Sequence, residues 1–210
     1  MGKYLQYGCG LSNPDKWENF DSSPTLRIQR TPILGMLLKP TLNVVFPRNI
    51  KYGDIVKGLN VSKNSYDGIY CSHVLEHLSY NDLLKSLKNT YEYLKPGGIF
   101  RMVLPDLEYL CREYIEGVNI KDPKSSLRFM NDSLLGVKER KRGLKQLIVD
   151  NLGNVKHLWM WDYHSLSLEL KGVGFKEIRR CRFNDSKDKM FLMVEEKGRF
   201  KNCLSIEASK

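Results

Sequence analysis

The sequence predicts an α/β fold in which helices cover both faces of a mostly parallel sheet. Three observations predict it. Short strand-like apolar runs alternate along the chain with segments of helical periodicity. A glycine turn, Gly8-Cys9-Gly10, follows the first of these runs directly, as at the carboxyl edge of an open sheet. A helix-spaced segment is stopped by Lys95-Pro96-Gly97-Gly98, and another strand-like run follows at once.

Composition sets the frame. The chain has 210 residues, 41% hydrophobic and 28% charged, which excludes a disordered chain and suits one domain with a single core. We read residues 1–210 as a single domain with insertions at about 24–49 and 117–155. The net charge of +10 points to an acidic partner: an anionic substrate, nucleic acid or a membrane surface. The five cysteines, at 9, 71, 111, 181 and 203, have no Cys-x-x-Cys spacing, so neither a structural zinc nor a redox pair is expected. An odd, irregular set favours free thiols and a reducing cytoplasm. The start, Met1 to Gln6, is too polar for a signal peptide. Gly2 lacks the Ser or Thr that myristoylation wants at position 6.

The elements follow in order. Lys3 to Tyr7 reads as a first strand, and the two glycines after it let the backbone turn and approach a ligand. The third glycine of a dinucleotide fingerprint is missing, since Asn13 stands there. Trp17 to Phe20 reads as a second strand ending at Asp21. An acid there can accept from ribose hydroxyls, or serve as a turn residue before Ser22-Ser23-Pro24. Residues 24–49 mix prolines, arginines and apolar clusters. They read as a short amphipathic helix packed beside the crevice, with a basic membrane-surface contact as the sharper alternative.

Tyr52-Gly53-Asp54-Ile55 offers another acid after a short strand, and Ser65 to Ser72 reads as a buried central strand. It runs into His73-Val74-Leu75-Glu76-His77-Leu78. Leu83, Leu84, Leu87, Tyr91 and Leu94 have helical spacing over 81–94. Ile99 to Leu104 is a strand and Leu107 to Ile115 a helix. From Gly117 to Val155 the pattern loosens around the basic run Lys138 to Arg142, read as a helical lid or substrate wall, or as a solvated face. Asp162 is a good N-cap for a helix that ends at Gly172-Val173-Gly174-Phe175. Lys176 to Phe183 and Cys203 to Ala208 are the last strands.

Tyr7-Gly8-Cys9-Gly10, Trp17-Glu18-Asn19-Phe20-Asp21, Ser72-His73-Val74-Leu75-Glu76-His77-Leu78, Leu94-Lys95-Pro96-Gly97-Gly98, Leu104-Pro105-Asp106-Leu107 and Gly174-Phe175 stand in one order. In this the chain resembles the class I S-adenosylmethionine-dependent methyltransferases. It is most similar to the small predicted methyltransferases found with cell-surface polysaccharide genes. The resemblance implies a doubly wound, mostly parallel seven-stranded sheet and S-adenosylmethionine as cofactor. It implies that Tyr7, Gly8 and Gly10 approach the methionine part, Asp21 the ribose and Asp54 the adenine. Ser72 and His73 would line the crevice near the sulfonium. The glycine turn is shorter than the fuller Gly-x-Gly-x-Gly form of the family.

Methyl transfer to a hydroxyl needs a base, and His73 is the first candidate, since an ordinary imidazole is neutral near pH 7. His77 could assist it. The acceptor expected is a small molecule or saccharide, with an anionic group met by Arg140, Lys141 and Arg142 and a ring stacked on Trp159 and Trp161. Nucleic acid is the less favoured acceptor, because base methylation goes with an Asn/Asp-Pro-Pro-aromatic segment where Ser72-His73-Val74-Leu75 stands. One competing motif remains. His73-Val74-Leu75-Glu76-His77 matches the His-x-x-Glu-His of a zinc hydrolase, with both histidines on one helical face. No third ligand announces itself in the sequence, so no metal is expected.

Overall fold

Tyr4–Tyr7 (β1) is buried along its whole length, and its alternate side chains feed two separate cores. Leu5 and Tyr7 belong to one cluster and Tyr4 to another, as the period of a strand requires. The computed structural model describes residues 2–32, 44–138 and 156–210. The apolar cluster Ile33 to Leu38 and the basic run Arg140 to Arg142 lie outside the described residues.

Seven strands form one sheet. After β1 come β2 (Trp17–Asp21), β3 (Ile50–Tyr52), β4 (Tyr66–Ser72), β5 (Leu94–Pro105), β6 (Lys176–Arg180) and β7 (Cys203–Ser209). Their order is β3-β2-β1-β4-β5-β7-β6. The pairs β1–β2, β1–β4, β2–β3 and β4–β5 are parallel. Strand β7 runs antiparallel to both β5 and β6. The chain winds one way from β1 and the other way from β4, so the crevice of a doubly wound sheet falls between their carboxyl ends.

Among the described residues the α-helices are α1 (Pro24–Gln29), α2 (Tyr80–Tyr93), α3 (Leu107–Asn119), α4 (Ser125–Asp132) and α5 (Tyr163–Val173). Ser79 caps α2, its hydroxyl accepting from the Asp82 amide. Asp162 caps α5 in a reciprocal box with Ser165. Gly174, at φ +116°, ends α5 in the left-handed conformation that glycine permits. Leu83 and Leu87 of α2 and Leu166 and Leu170 of α5 pack in the larger core with Leu5, Ile69 and Phe100.

Two expectations change here. The helix stops just before Lys95-Pro96-Gly97-Gly98 as expected, α2 ending at Tyr93, but the next strand begins earlier than Ile99, since these residues already belong to β5. A register shift between Tyr66 and Gly68 on β4 accommodates them. Strand β6 also stops at Arg180, short of Phe183.

The link from β1 to β2, residues 8–16, holds no helix, although a parallel crossover usually carries one. A segment from the far end of the chain covers that face instead. The 3₁₀ turn Lys189–Met193 places Phe191 against Tyr4, Trp17, Tyr70 and Val103. Fully buried Arg101 of β5 anchors this segment, pairing with Glu195, with Asp185 at 2.9 Å and with Glu207 at 2.9 Å. No described helix is long and apolar enough to cross a membrane.

Candidate active site

The glycine turn leaves β1 with two left-handed residues, Gly8 at φ +62° and Gly10 at φ +55°. A Cβ on Gly8 would come within 2.2 Å of Val74 Cγ2, so the turn packs directly on the segment after β4. A Cβ on Gly10 would meet open space, with no atom within 4 Å.

Asp21, at the end of β2, is buried and braces the turn. Its Oδ2 accepts from the Gly10 amide at 2.9 Å and its Oδ1 from the Ser23 amide at 2.8 Å. Each oxygen keeps a further lone pair for a ligand hydroxyl. Tyr7 sends its side chain into the core, its hydroxyl accepting from Thr90 at 3.3 Å. Burial pushes that phenol well above its ordinary range, so only the Tyr7 backbone reaches the turn. Asp54 follows β3, accepts from the Val56 amide at 3.0 Å and faces Lys57 at 3.6 Å.

Ser72 ends β4, with its hydroxyl buried and without a hydrogen-bond partner among the described residues. His73 then takes φ +55°, a conformation rare outside glycine and typical of strained functional positions. The segment beyond is not an α-helix. Only Leu75–His77 is helical, as a single 3₁₀ turn, so the zinc-hydrolase pattern of two histidines on one helical face is not formed. His73 Nδ1 lies 3.3 Å from Glu76 Oε1, and its Nε2 faces the Arg199 carbonyl at 3.2 Å and Cys203 Sγ at 4.0 Å. The Cys203 sulfur, followed by the Glu76 carboxylate, pushes the imidazole up to about 10. In this geometry His73 holds its proton at neutral pH and presents a donor.

The consecutive residues Ser72 and His73 line two different cavities. One, of about 350 Å³, is lined by Gly8, Cys9, Ser12, Ser72, Glu196 and Arg199 among others. The other, of about 540 Å³, is lined by His73, Asp106, Tyr109, Arg128, His157 and Lys201 among others. Helix α4 contributes Arg128, Phe129 and Asp132 to the larger one, so this described part of the insertion is a cavity wall. His77 turns from the cavities toward Glu76 and the Lys156 carbonyl. Trp161 is core, whereas Trp159 is exposed, their rings 5.9 Å apart.

The residues present fit S-adenosylmethionine. Gly10 offers open space that a side chain would fill, the orphaned Ser72 hydroxyl borders the glycine cavity, and Asp21 ends the second strand. Sequence reading missed Arg199 and His157, which reach the site from distant segments. His157 belongs to a stretch that reads only as the approach to a helix.

Comparison with known proteins agrees with this geometry. Residues 13–179 match the family described as methyltransferase domain. An S-adenosylmethionine-dependent methyltransferase of Thermotoga maritima aligns over 100% of this chain and 83% of its own, with a TM-score of 0.52 and 16% identity. A methyltransferase in complex with a Haloferax volcanii activator protein aligns over 99% of this chain and 82% of its own, with a TM-score of 0.51 and 12% identity. At such identities the likeness is one of fold. A comparison with curated proteins found no match. With four-fifths of its length inside the family's span and the site of that fold in place, the chain belongs to the methyltransferase-domain family and is an enzyme of methyl transfer.

Proposed function

We propose that this enzyme is S-adenosylmethionine-dependent and methylates a hydroxyl or amine on a small saccharide acceptor, free, nucleotide-linked or lipid-linked. The observation that carries the reading is the larger cavity. It is lined by His73, the neighbour in sequence of Ser72 in the glycine cavity, and its wall mixes acids, two amides, two cations and aromatic faces. Acids and amides hydrogen-bond sugar hydroxyls, and aromatic faces stack on sugar rings. Arg128 and Lys201 supply positive charge for an anionic group, in place of a role assigned to Arg140–Arg142.

S-adenosylmethionine supplies an electrophilic methyl group when bound. Gly8, Gly10, Asp21, Asp54 and Ser72 would hold it. His73 would touch the acceptor's oxygen or nitrogen and orient it as a hydrogen-bond donor; with its proton held at neutral pH it is not free to be the base that the sequence suggested. His77 acts through Glu76, as a positioning residue. The enzyme's main contribution is alignment, which can supply about 7–11 kcal/mol of the barrier. All five cysteines are free, which suits a reducing compartment, and we place the enzyme in the cytoplasm.

The test is incubation with labelled-methyl cofactor and host extracts, read by fraction. Label is expected in saccharide-containing small molecules or glycan precursors, with His73→Ala lowering incorporation by about 10²–10³ while cofactor binding by calorimetry persists. Label in tRNA or rRNA with none in the saccharide fraction overturns the acceptor class. Absence of cofactor binding overturns the catalytic reading itself.

A further inference from the structure

Glu76 carries a carboxylate that is 1% exposed, and neither of its oxygens has a hydrogen-bond partner among the described residues. The His73 imidazole lies 3.3 Å from Glu76 Oε1, yet a buried carboxylate with no hydrogen bond is costly, which favours a further cationic partner beside it. His77 Nε2 and His157 Nε2 each point at Glu76 Oε1 from 4.0 Å. We propose that Glu76, His77 and His157 form a binding site for one divalent first-row transition ion of the zinc class.

The two imidazoles are held as metal ligands usually are. His77 Nδ1 is 3.0 Å from the Lys156 carbonyl, and His157 Nδ1 is 2.8 Å from the Ser133 carbonyl. Each carbonyl accepts from Nδ1–H, which leaves the Nε2 lone pair turned to the carboxylate, and such outer partners fix tautomer and ring orientation. The main chain adds a second latch. The Leu158 and Trp159 amides donate to the Glu76 carbonyl at 2.7 and 3.2 Å. The strand of chain that brings His157 is therefore tied at its backbone to the turn that carries Glu76 and His77.

The donor atoms all lie within 4.8 Å of one another. Zinc at about 2.1 Å from nitrogen and 2.0 Å from oxygen in a tetrahedral site sets donors about 3.4 Å apart. The 4.0 Å separations thus need closure by about 0.6 Å, and the widest donor separation, at most 4.8 Å, by at most about 1.4 Å, which rotations of three side chains provide. Two imidazoles and a carboxylate suit zinc and its neighbours and are a poor set for magnesium or calcium, which take oxygen. This set differs from the His-x-x-Glu-His reading, in which both histidines of the motif bind and the glutamate does not. Here the glutamate binds and His73 does not, because His73 is outside the group of donors that all lie within 4.8 Å of one another. Three protein donors leave a further coordination position for water. Since His157 lines the larger cavity, the ion would stand behind that cavity's wall and fasten the insertion to the turn after β4.

The test uses the full chain, stripped with a chelator and without any cofactor, so that it is independent of the acceptor reading. Zinc is titrated by calorimetry and cobalt by visible absorption. One zinc per chain is expected at micromolar affinity or tighter. Cobalt should give d–d bands of a four- or five-coordinate nitrogen and oxygen site without thiolate charge transfer. His157→Ala and Glu76→Gln should each weaken zinc about a hundredfold or more, and Cys203→Ser should leave it unchanged. Failure to bind zinc at micromolar concentration overturns the proposal and leaves a protonated imidazole as the partner of Glu76. So does wild-type affinity in either ligand variant, or thiolate charge transfer in the cobalt spectrum of the unaltered chain, which decides the matter even where a variant fails to fold.

Discussion

Gly8 and Gly10 share a left-handed backbone and differ in their surroundings. For any L-residue this conformation costs about 1–2 kcal/mol. At Gly8 the added Cβ would also run into Val74 at 2.2 Å, and such overpacking adds about 1–3 kcal/mol. At Gly10 only the backbone cost applies, because the space is open. Gly8→Ala should therefore lose about 2–5 kcal/mol of stability in urea melts, the sum of both costs. Gly10→Ala should lose about 1–2 kcal/mol and yet bind S-adenosylmethionine at least tenfold more weakly, since its methyl group occupies ligand space. Unchanged affinity in folded Gly10→Ala would remove Gly10 from the cofactor site.

At the scale of elements, the segment from Arg182 to Glu195 replaces a crossover helix and depends on Arg101. That arginine is fully buried, and the Glu195 side chain beside it is as well. Removing one member of a buried pair strands the other charge at a cost of about 3–5 kcal/mol. Arg101→Met should cost about that much in urea denaturation, and Arg101→Met with Glu195→Leu should recover a large part of it. A loss below about 1 kcal/mol in the single variant would show that this cluster does not hold the segment to the sheet.

Across the whole molecule, carboxylates set the acid limit. At Glu18, Asp67 and Asp185 burial alone would raise the pKa, and paired cations outweigh it. Lys51 and Lys3 lower Glu18, Lys95 lowers Asp67, and Arg179 and Arg101 lower Asp185. A folded pKa below the unfolded one contributes stability that is complete above the unfolded value, 4.5 for Glu18 and 3.8 for the two aspartates. That stability drains as pH falls through the folded value, because the unfolded chain binds its protons first. The melting temperature should hold from pH 7 to about 5 and fall steadily from about 4.5 to 3. An unchanged melting temperature over the lower range would show that these pairs contribute nothing to folding.

By itself the sequence determined whatever depends on neighbours along the chain. The strands of Tyr4–Tyr7 and Tyr66–Ser72, the helix of Tyr80–Tyr93, the Asp162 cap and the Gly8–Gly10 turn all follow from periodicity and turn chemistry within a few residues. Their order carried the family with it. What joins distant segments was decided only in three dimensions. Arg101 reads as an ordinary strand cation until Asp185, Glu195 and Glu207 fold around it. The left-handed φ of His73 has no signature in an L-residue's local sequence. Lys95-Pro96-Gly97-Gly98 has the composition of a helix stop, but it lies inside β5, in the irregularity between Leu94 and Ile99, which pair with Tyr66 and Gly68 of β4. His157 meets Glu76 and His77 because backbone hydrogen bonds from Leu158 and Trp159 dock that stretch on Glu76. A contact across so many residues is set by the packing of whole elements, and no local pattern of side chains encodes it.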